Sequence, residues 1–110
     1  MSQYIPKRGD IVWANFDPSA GHEQAGKRPS IVLSEYLFNK KLKLALVAPI
    51  TNTKRDNPFE VELIDQTTTG VILCQQIKMI DYYQRQISFI EKAKKKIVAE
   101  TLTKARVLLA

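Results

Sequence analysis

Cysteine and histidine are the first scarcities. Cys74 and His22 each occur once in 110 residues, so no internal disulfide can form and the usual structural zinc sets are excluded. The eleven acidic residues are scattered along the chain, with no close pair to suggest a two-metal site. No apolar run approaches the roughly 20 residues that a membrane-spanning helix needs. Met1–Arg8 also lacks the apolar region of an export signal, so a cytoplasmic location is expected. Repeats, low-complexity stretches and interdomain linkers are missing too. What remains is one ordinary globular domain over residues 1–110, with 45% hydrophobic and 25% charged residues and room for one modest core. Cys74 lies in the apolar run Gly70–Cys74. It reads as a buried thiol, because only His22 could activate it as a nucleophile.

Charge is present and unevenly placed. Seventeen basic residues against eleven acidic ones leave +6, which favours a polyanionic or acidic partner. Residues 1–83 carry ten basic and nine acidic groups, a net +1, whereas residues 84–110 carry seven and two, a net +5. Much of that excess is the run Lys92, Lys94, Lys95 and Lys96. Two readings stay open for it: a solvated approach to a helix, or a patch that steers phosphates.

The pattern of apolar residues is mostly of period two, the mark of strands. Strands are predicted over 10–17 and 28–35, the second with Pro29 near its start, where a missing donor is tolerable. A single helical turn is expected at 35–41. A third strand over 43–50 should end at Pro49, before the polar loop 51–58. Over 59–64, Phe59, Val61 and Leu63 alternate with Glu60 and Glu62, so one face should be wet. After the turn 65–70, Val71–Ile80 reads as one central strand, and 86–90 as a short further one. The tail from Lys95 onward is the only good helix, with Val98, Leu102, Ala105 and Leu109 as its core-facing stripe. Short strands with one terminal helix point to a small barrel or sandwich. Trp13 and Phe16 could stack on nucleic-acid bases, but in an alternating strand they read as core. Tyr82 and Tyr83 are adjacent and should point to opposite sides, leaving one exposed.

The densest chemistry lies between the first two strands. Asp17-Pro18 breaks the first strand, and Gly21 and Gly26 then bound a loop holding His22, Glu23, Gln24, Lys27 and Arg28. A proton carrier near neutrality, an acid, an amide and two cations could together transfer a phosphoryl group. They could equally be a solvated loop.

DPSAGHEQAGKRPSIVLS (residues 17–34) resembles the signature loop of the MazF/PemK (Kid) toxins of prokaryotic toxin–antitoxin systems. VAPIT (47–51), NPFEVEL (57–63) and GVILCQQIKMID (70–81) follow in that family's order, so the resemblance spans roughly the whole chain. It implies a mainly β fold with a C-terminal helix, an SH3-like β-barrel forming a homodimer. It also implies a sequence-specific, metal-independent endoribonuclease that needs no cofactor and cuts single-stranded mRNA. The implied partners are RNA and a MazE/PemI-like antitoxin with an acidic tail.

A metal-free route suits RNA, whose 2′-hydroxyl is a tethered nucleophile. The expected products are a 2′,3′-cyclic phosphate and a 5′-hydroxyl. Arg28 matches the family's catalytic arginine; its fork can bind two phosphoryl oxygens. Thr51 matches the catalytic threonine. Glu23 could orient Arg28 or accept a proton, and His22 could do the latter or tune the site. The implied RNA contacts are Gln24, Lys27, Asn52, Lys54, Gln75 and Gln76. One departure stands out: PemK-type members carry an arginine and an aspartate where this chain has Leu73 and Gln75. Glutamine cannot take a proton, so a base at that position is lost. Two other readings remain: a binding toxin on the same fold that poisons a protein target such as DNA gyrase, and a non-toxic SH3-like binding module.

Overall fold

A computed structural model describes residues 3–110; Met1 and Ser2, the start of the segment expected to carry no export signal, lie outside the described residues. Seven strands form one strongly bent antiparallel sheet, closed on one side by a C-terminal helix. In chain order these are β1 (Asp10–Asn15), β2 (Lys27–Val32), α1 (Tyr36–Leu42), β3 (Leu44–Thr51) and β4 (Glu60–Glu62). They are followed by β5 (Val71–Leu73), a 3₁₀ turn (Cys74–Gln76), β6 (Lys78–Asp81), β7 (Ser88–Lys92) and α2 (Lys95–Val107). The order β4-β5-β3-β2-β1-β7, with β6 on β3, is that of a small barrel-like sheet. Among the described residues no helix is long and apolar enough to cross a membrane.

β3 is the pivot. Its alternating side chains feed two apolar clusters. Leu46, Ala48 and Ile50 face the one that α2 covers, while Ala45 and Val47 face the other, around Tyr82 and Phe16. Burying such an aliphatic side chain contributes about 1.5–3 kcal/mol. Both faces of the central strands are therefore dry, which explains their near-continuous apolar runs. β1 departs from that rule. Val12, Ala14 and Phe16 are core, but Trp13 is 40% exposed, contrary to its expected burial. Tyr82 is buried and Tyr83 exposed, as the pair predicts.

The predicted central strand 71–80 is broken, and register explains why. β3 pairs with β5 through Ile50↔Ile72 and with β6 through Val47↔Lys78. Two residues of β3 (48 and 49) thus stand opposite five of the β5–β6 segment (73–77). The surplus three residues leave the ladder as the 3₁₀ turn, carrying Gln75 and Gln76 outward. Pro49, expected to end the third strand, sits inside it opposite Ser30, where its missing donor is tolerated because the ladder on the other side of β3 is interrupted at that point.

α2 also sits differently from its predicted stripe. Ile97, Thr101 and Ala105 are its buried residues, with Val98 and Leu102 flanking them, while Leu109 lies past the helix end and is 86% exposed. Thr101 can occupy the core because its hydroxyl donates to the Ile97 carbonyl at 2.7 Å. The short α1 is tied down by Asn39, wholly buried, whose amide donates to the Pro6 carbonyl at 2.9 Å and whose carbonyl accepts from Tyr82.

Candidate active site

Three segments converge on one groove: the β1–β2 loop, the end of β3 with the loop after it, and the 3₁₀ turn. The loop leaves β1 at Phe16. Its neck is held by the Phe16 N–H donating to the Gly26 carbonyl at 2.8 Å and by the Gly26 N–H donating to Asp17 Oδ1 at 2.9 Å. Arg85 donates to the Asp17 carbonyl from the far side. Gly21 and Gly26 both take left-handed backbone angles, with φ of 58° and 76°, which glycine adopts without strain. The loop's turn is closed by the Glu23 carboxylate accepting from the Ala20 N–H at 2.8 Å.

A cavity of about 470 Å³ lies beneath this loop. Its walls include all four predicted catalytic residues, His22, Glu23, Arg28 and Thr51. Arg28 stands on β2 and donates through Nε to the Ala25 carbonyl at 2.9 Å, which aims the guanidinium. Among the described residues it forms no ion pair, so Glu23 does not neutralise it. Thr51 ends β3 and is only 8% exposed; its Oγ1 accepts from the Thr53 N–H at 3.2 Å. The backbone of Gly70 presses on Thr51 so closely that a Cβ there would lie 2.4 Å from the Thr51 carbonyl oxygen.

Of the predicted RNA contacts, Gln24, Gln75 and Gln76 line the groove, and Lys27, Asn52 and Lys54 do not. Lys27 is exposed at the start of β2. Asn52 accepts from the Thr69 hydroxyl at 3.0 Å, and Lys54 pairs with Glu62 at 3.4 Å, both against a separate hollow on the β4–β5 side. Gln76 has its amide engaged by the loop: Oε1 accepts from the Gln24 N–H at 2.9 Å and Nε2 donates to the His22 carbonyl at 3.1 Å. A second cavity of about 280 Å³ adjoins the first, sharing Glu23, Gln24, Gln75 and Gln76 and adding Phe16, Pro49 and Lys78.

Two charged residues of the groove escaped the sequence reading. Arg55 lines it, and so does Glu60, which was expected on a wet face but is only 9% exposed. The Glu60 carboxylate accepts from the Arg55 N–H at 3.2 Å, and Lys104 of α2 donates to the Glu60 carbonyl at 2.8 Å. An arginine in the same loop as Thr51 was the available signal. Lys92, Lys94, Lys95 and Lys96 line no part of this groove; they gather at the start of α2, where Lys94 pairs with Asp65 at 3.7 Å.

Cys74 is free and wholly buried, and burial pushes its thiol up to about 11 despite the opposing pull of the Lys104 ammonium. A thiol so held is no nucleophile at neutral pH. Among the described residues no three His, Cys, Asp or Glu side chains gather where they could hold a metal ion. The groove offers two guanidinium groups for an anion, two carboxylates, one imidazole and a ring of amides. That set can grip a phosphodiester and move protons around it.

Residues 7–109 match the family of PemK-like, MazF-like toxins of type II toxin–antitoxin systems. The endoribonuclease toxin MazF of Escherichia coli K12 is 44% identical over 85 residues, which is 77% of each chain. The endoribonuclease toxin ChpB of the same strain is 40% identical over 109 residues, 94% of this chain and 93% of that one. Among solved structures, MazF from Deinococcus radiodurans superposes with a TM-score of 0.92 at 36% identity, covering 97% of this chain and 98% of that one. A MazE–MazF complex from the same organism gives 0.85 at 30% identity, covering 98% of each chain.

Proposed function

Because the chain belongs to the PemK-like, MazF-like toxins of type II toxin–antitoxin systems, we propose that its groove cuts single-stranded mRNA by attack of the 2′-hydroxyl. It is a toxin and an endoribonuclease, acting in the cytoplasm to stop translation and growth. The observation that carries the chemistry is the convergence of His22 and Glu23 from the β1–β2 loop, Arg28 from β2 and Thr51 from the end of β3 on one cavity. The 2′-oxygen attacks phosphorus, the 5′-oxygen leaves, and a 2′,3′-cyclic phosphate and a 5′-hydroxyl result. Arg28 stabilises the charge that builds on the two non-bridging oxygens, with Thr51 hydrogen-bonded to one of them. Glu23 and His22 share the two proton transfers, one taking the 2′-hydroxyl proton and the other protonating the leaving oxygen. Gln75 and Gln24 meet base edges. No metal takes part in this route.

The single domain over residues 1–110 acts as a homodimer using the same patch twice, restrained by a MazE/PemI-like antitoxin. That partner lays an acidic tail into the basic wall of the groove, where it occupies the phosphate positions. The D. radiodurans MazE–MazF complex supports this part of the reading. The gyrase-poisoning alternative finds no support among the relatives named above.

Purified protein incubated with a long RNA in EDTA should cut it, leaving 5′-hydroxyl ends. A substrate with a deoxynucleotide on the 5′ side of the cut should resist. Cleavage of that deoxy substrate would overturn the 2′-hydroxyl mechanism, and loss of cleavage in EDTA would overturn its metal independence.

A further inference from the structure

Both ends of the Gln76 carboxamide are engaged by the loop. The amide accepts from the Gln24 N–H at 2.9 Å and donates to the His22 carbonyl at 3.1 Å. The two backbone groups flank Glu23, so one side chain brackets that residue as a neighbouring strand would. Few side chains could do this, because a donor and an acceptor must sit on the same end. Within the loop tip, Glu23 and Ala20 bond only to each other. Among the described residues, the hydrogen bonds from His22–Gln24 to anything outside the loop are the two made by Gln76. The tip is bounded by Gly21 and Gly26, whose φ of 58° and 76° cost glycine nothing and restrain it little. The neck is pinned at Phe16, Asp17 and Gly26, and Arg28 holds the Ala25 carbonyl, but His22–Gln24 rest on one side chain some fifty positions away.

We propose that Gln76 is a positioning residue: its amide clamps the His22–Gln24 backbone across the groove and so fixes Glu23 and His22 relative to Arg28 and Thr51. This rests on the RNA-cleaving reading given above. The clamp lies where the two cavities adjoin, since both are lined by Glu23, Gln24, Gln75 and Gln76. Holding the tip converts a loosely tethered pair of proton-transfer groups into an oriented one, and misplacement of about 1 Å is enough to cost a large factor in rate.

Three proteins separate a clamp from a direct substrate contact: wild type, Gln76→Glu and Gln76→Met. Glutamate keeps the acceptor for Gln24 and loses the donor to His22; methionine keeps the shape and loses both. Amide exchange of Gln24, read by NMR, should be slowest in wild type, faster in Gln76→Glu and fastest in Gln76→Met. On RNA, kcat should fall in the same order, by about tenfold or more for methionine, with KM little changed. Equal Gln24 protection in all three proteins would overturn the clamp, as would an effect confined to KM. Should the methionine variant fail to fold, Gln76→Glu alone decides by the same two readings. Wild-type protein that cuts no RNA yet shows the expected exchange order would uphold the clamp and remove the RNA reading instead.

Discussion

Arg28 is held by its own Nε on the Ala25 carbonyl, which leaves the two terminal nitrogens to face the groove. A phosphoryl group that gains charge needs donors already in place, and removing one such contact commonly costs about 10²–10³ in rate. Arg28→Ala should therefore lose at least that much cleavage with an unchanged melting temperature. Arg28→Lys should recover only part of it, because one ammonium cannot span two oxygens. Thr51→Ala should show a smaller loss. Wild-type cleavage by Arg28→Ala would remove the arginine from the site. These residues were legible because they sit inside long motifs with fixed neighbours. Arg55 and Glu60 were not. Their roles depend on a chain reversal that turns Glu60 inward, and alternation alone had put it on the wet face. Trp13 failed for the opposite reason: the cluster under α2 that buries Ile11 does not include it, so the same face of β1 is open two residues later.

At the scale of elements, the types of the strands were legible and their interruptions were not. Period two cannot report that a strand changes partner half-way, and β3 does so between Val47 and Ile50. The turn that results carries Gln75 and Gln76, so the part of the fold hardest to foresee is the part the groove uses. α2 was placed correctly but rotated by about one position, since Thr101 looks polar in a sequence and satisfies itself in a helix. Gly70 links this scale to the site. Its φ of 117° strains any other residue, and an added Cβ would meet the Thr51 carbonyl at 2.4 Å. Gly70→Ala should cost about 1–3 kcal/mol in urea denaturation and should also depress cleavage by moving Thr51. A variant as stable and as active as the parent would show that Gly70 does not position Thr51.

The whole molecule is fastened where its two ends meet. β1 pairs with β7 through Asp10↔Lys92 and Ile11↔Glu91, and Lys92 donates to the buried Asp10 carboxylate at 3.4 Å. Beside that seam, burial disfavours the charge on Glu91. The Thr68 and Thr67 N–H groups and the Gln66 amide outweigh it and hold the carboxyl below its usual pKa. A depressed folded pKa means stability that is present above the unfolded value and lost as pH falls through the folded one. Melting temperature should therefore drop more steeply for wild type than for Glu91→Gln between about pH 5 and pH 3. Parallel curves would assign the acid sensitivity elsewhere.

That seam also sets an order in time. Synthesis delivers β1 first, yet its outer partner is residues 88–92, and the helix that covers the core comes later still. Pairings between such distant segments form slowly, because loop closure precedes any gain from contact. Until residues 88–107 are made, the Asp10 edge lacks its β7 partner and the α2 face of the sheet lies bare. The segments that line the groove are thus all made before the strand and helix that complete the sheet carrying them.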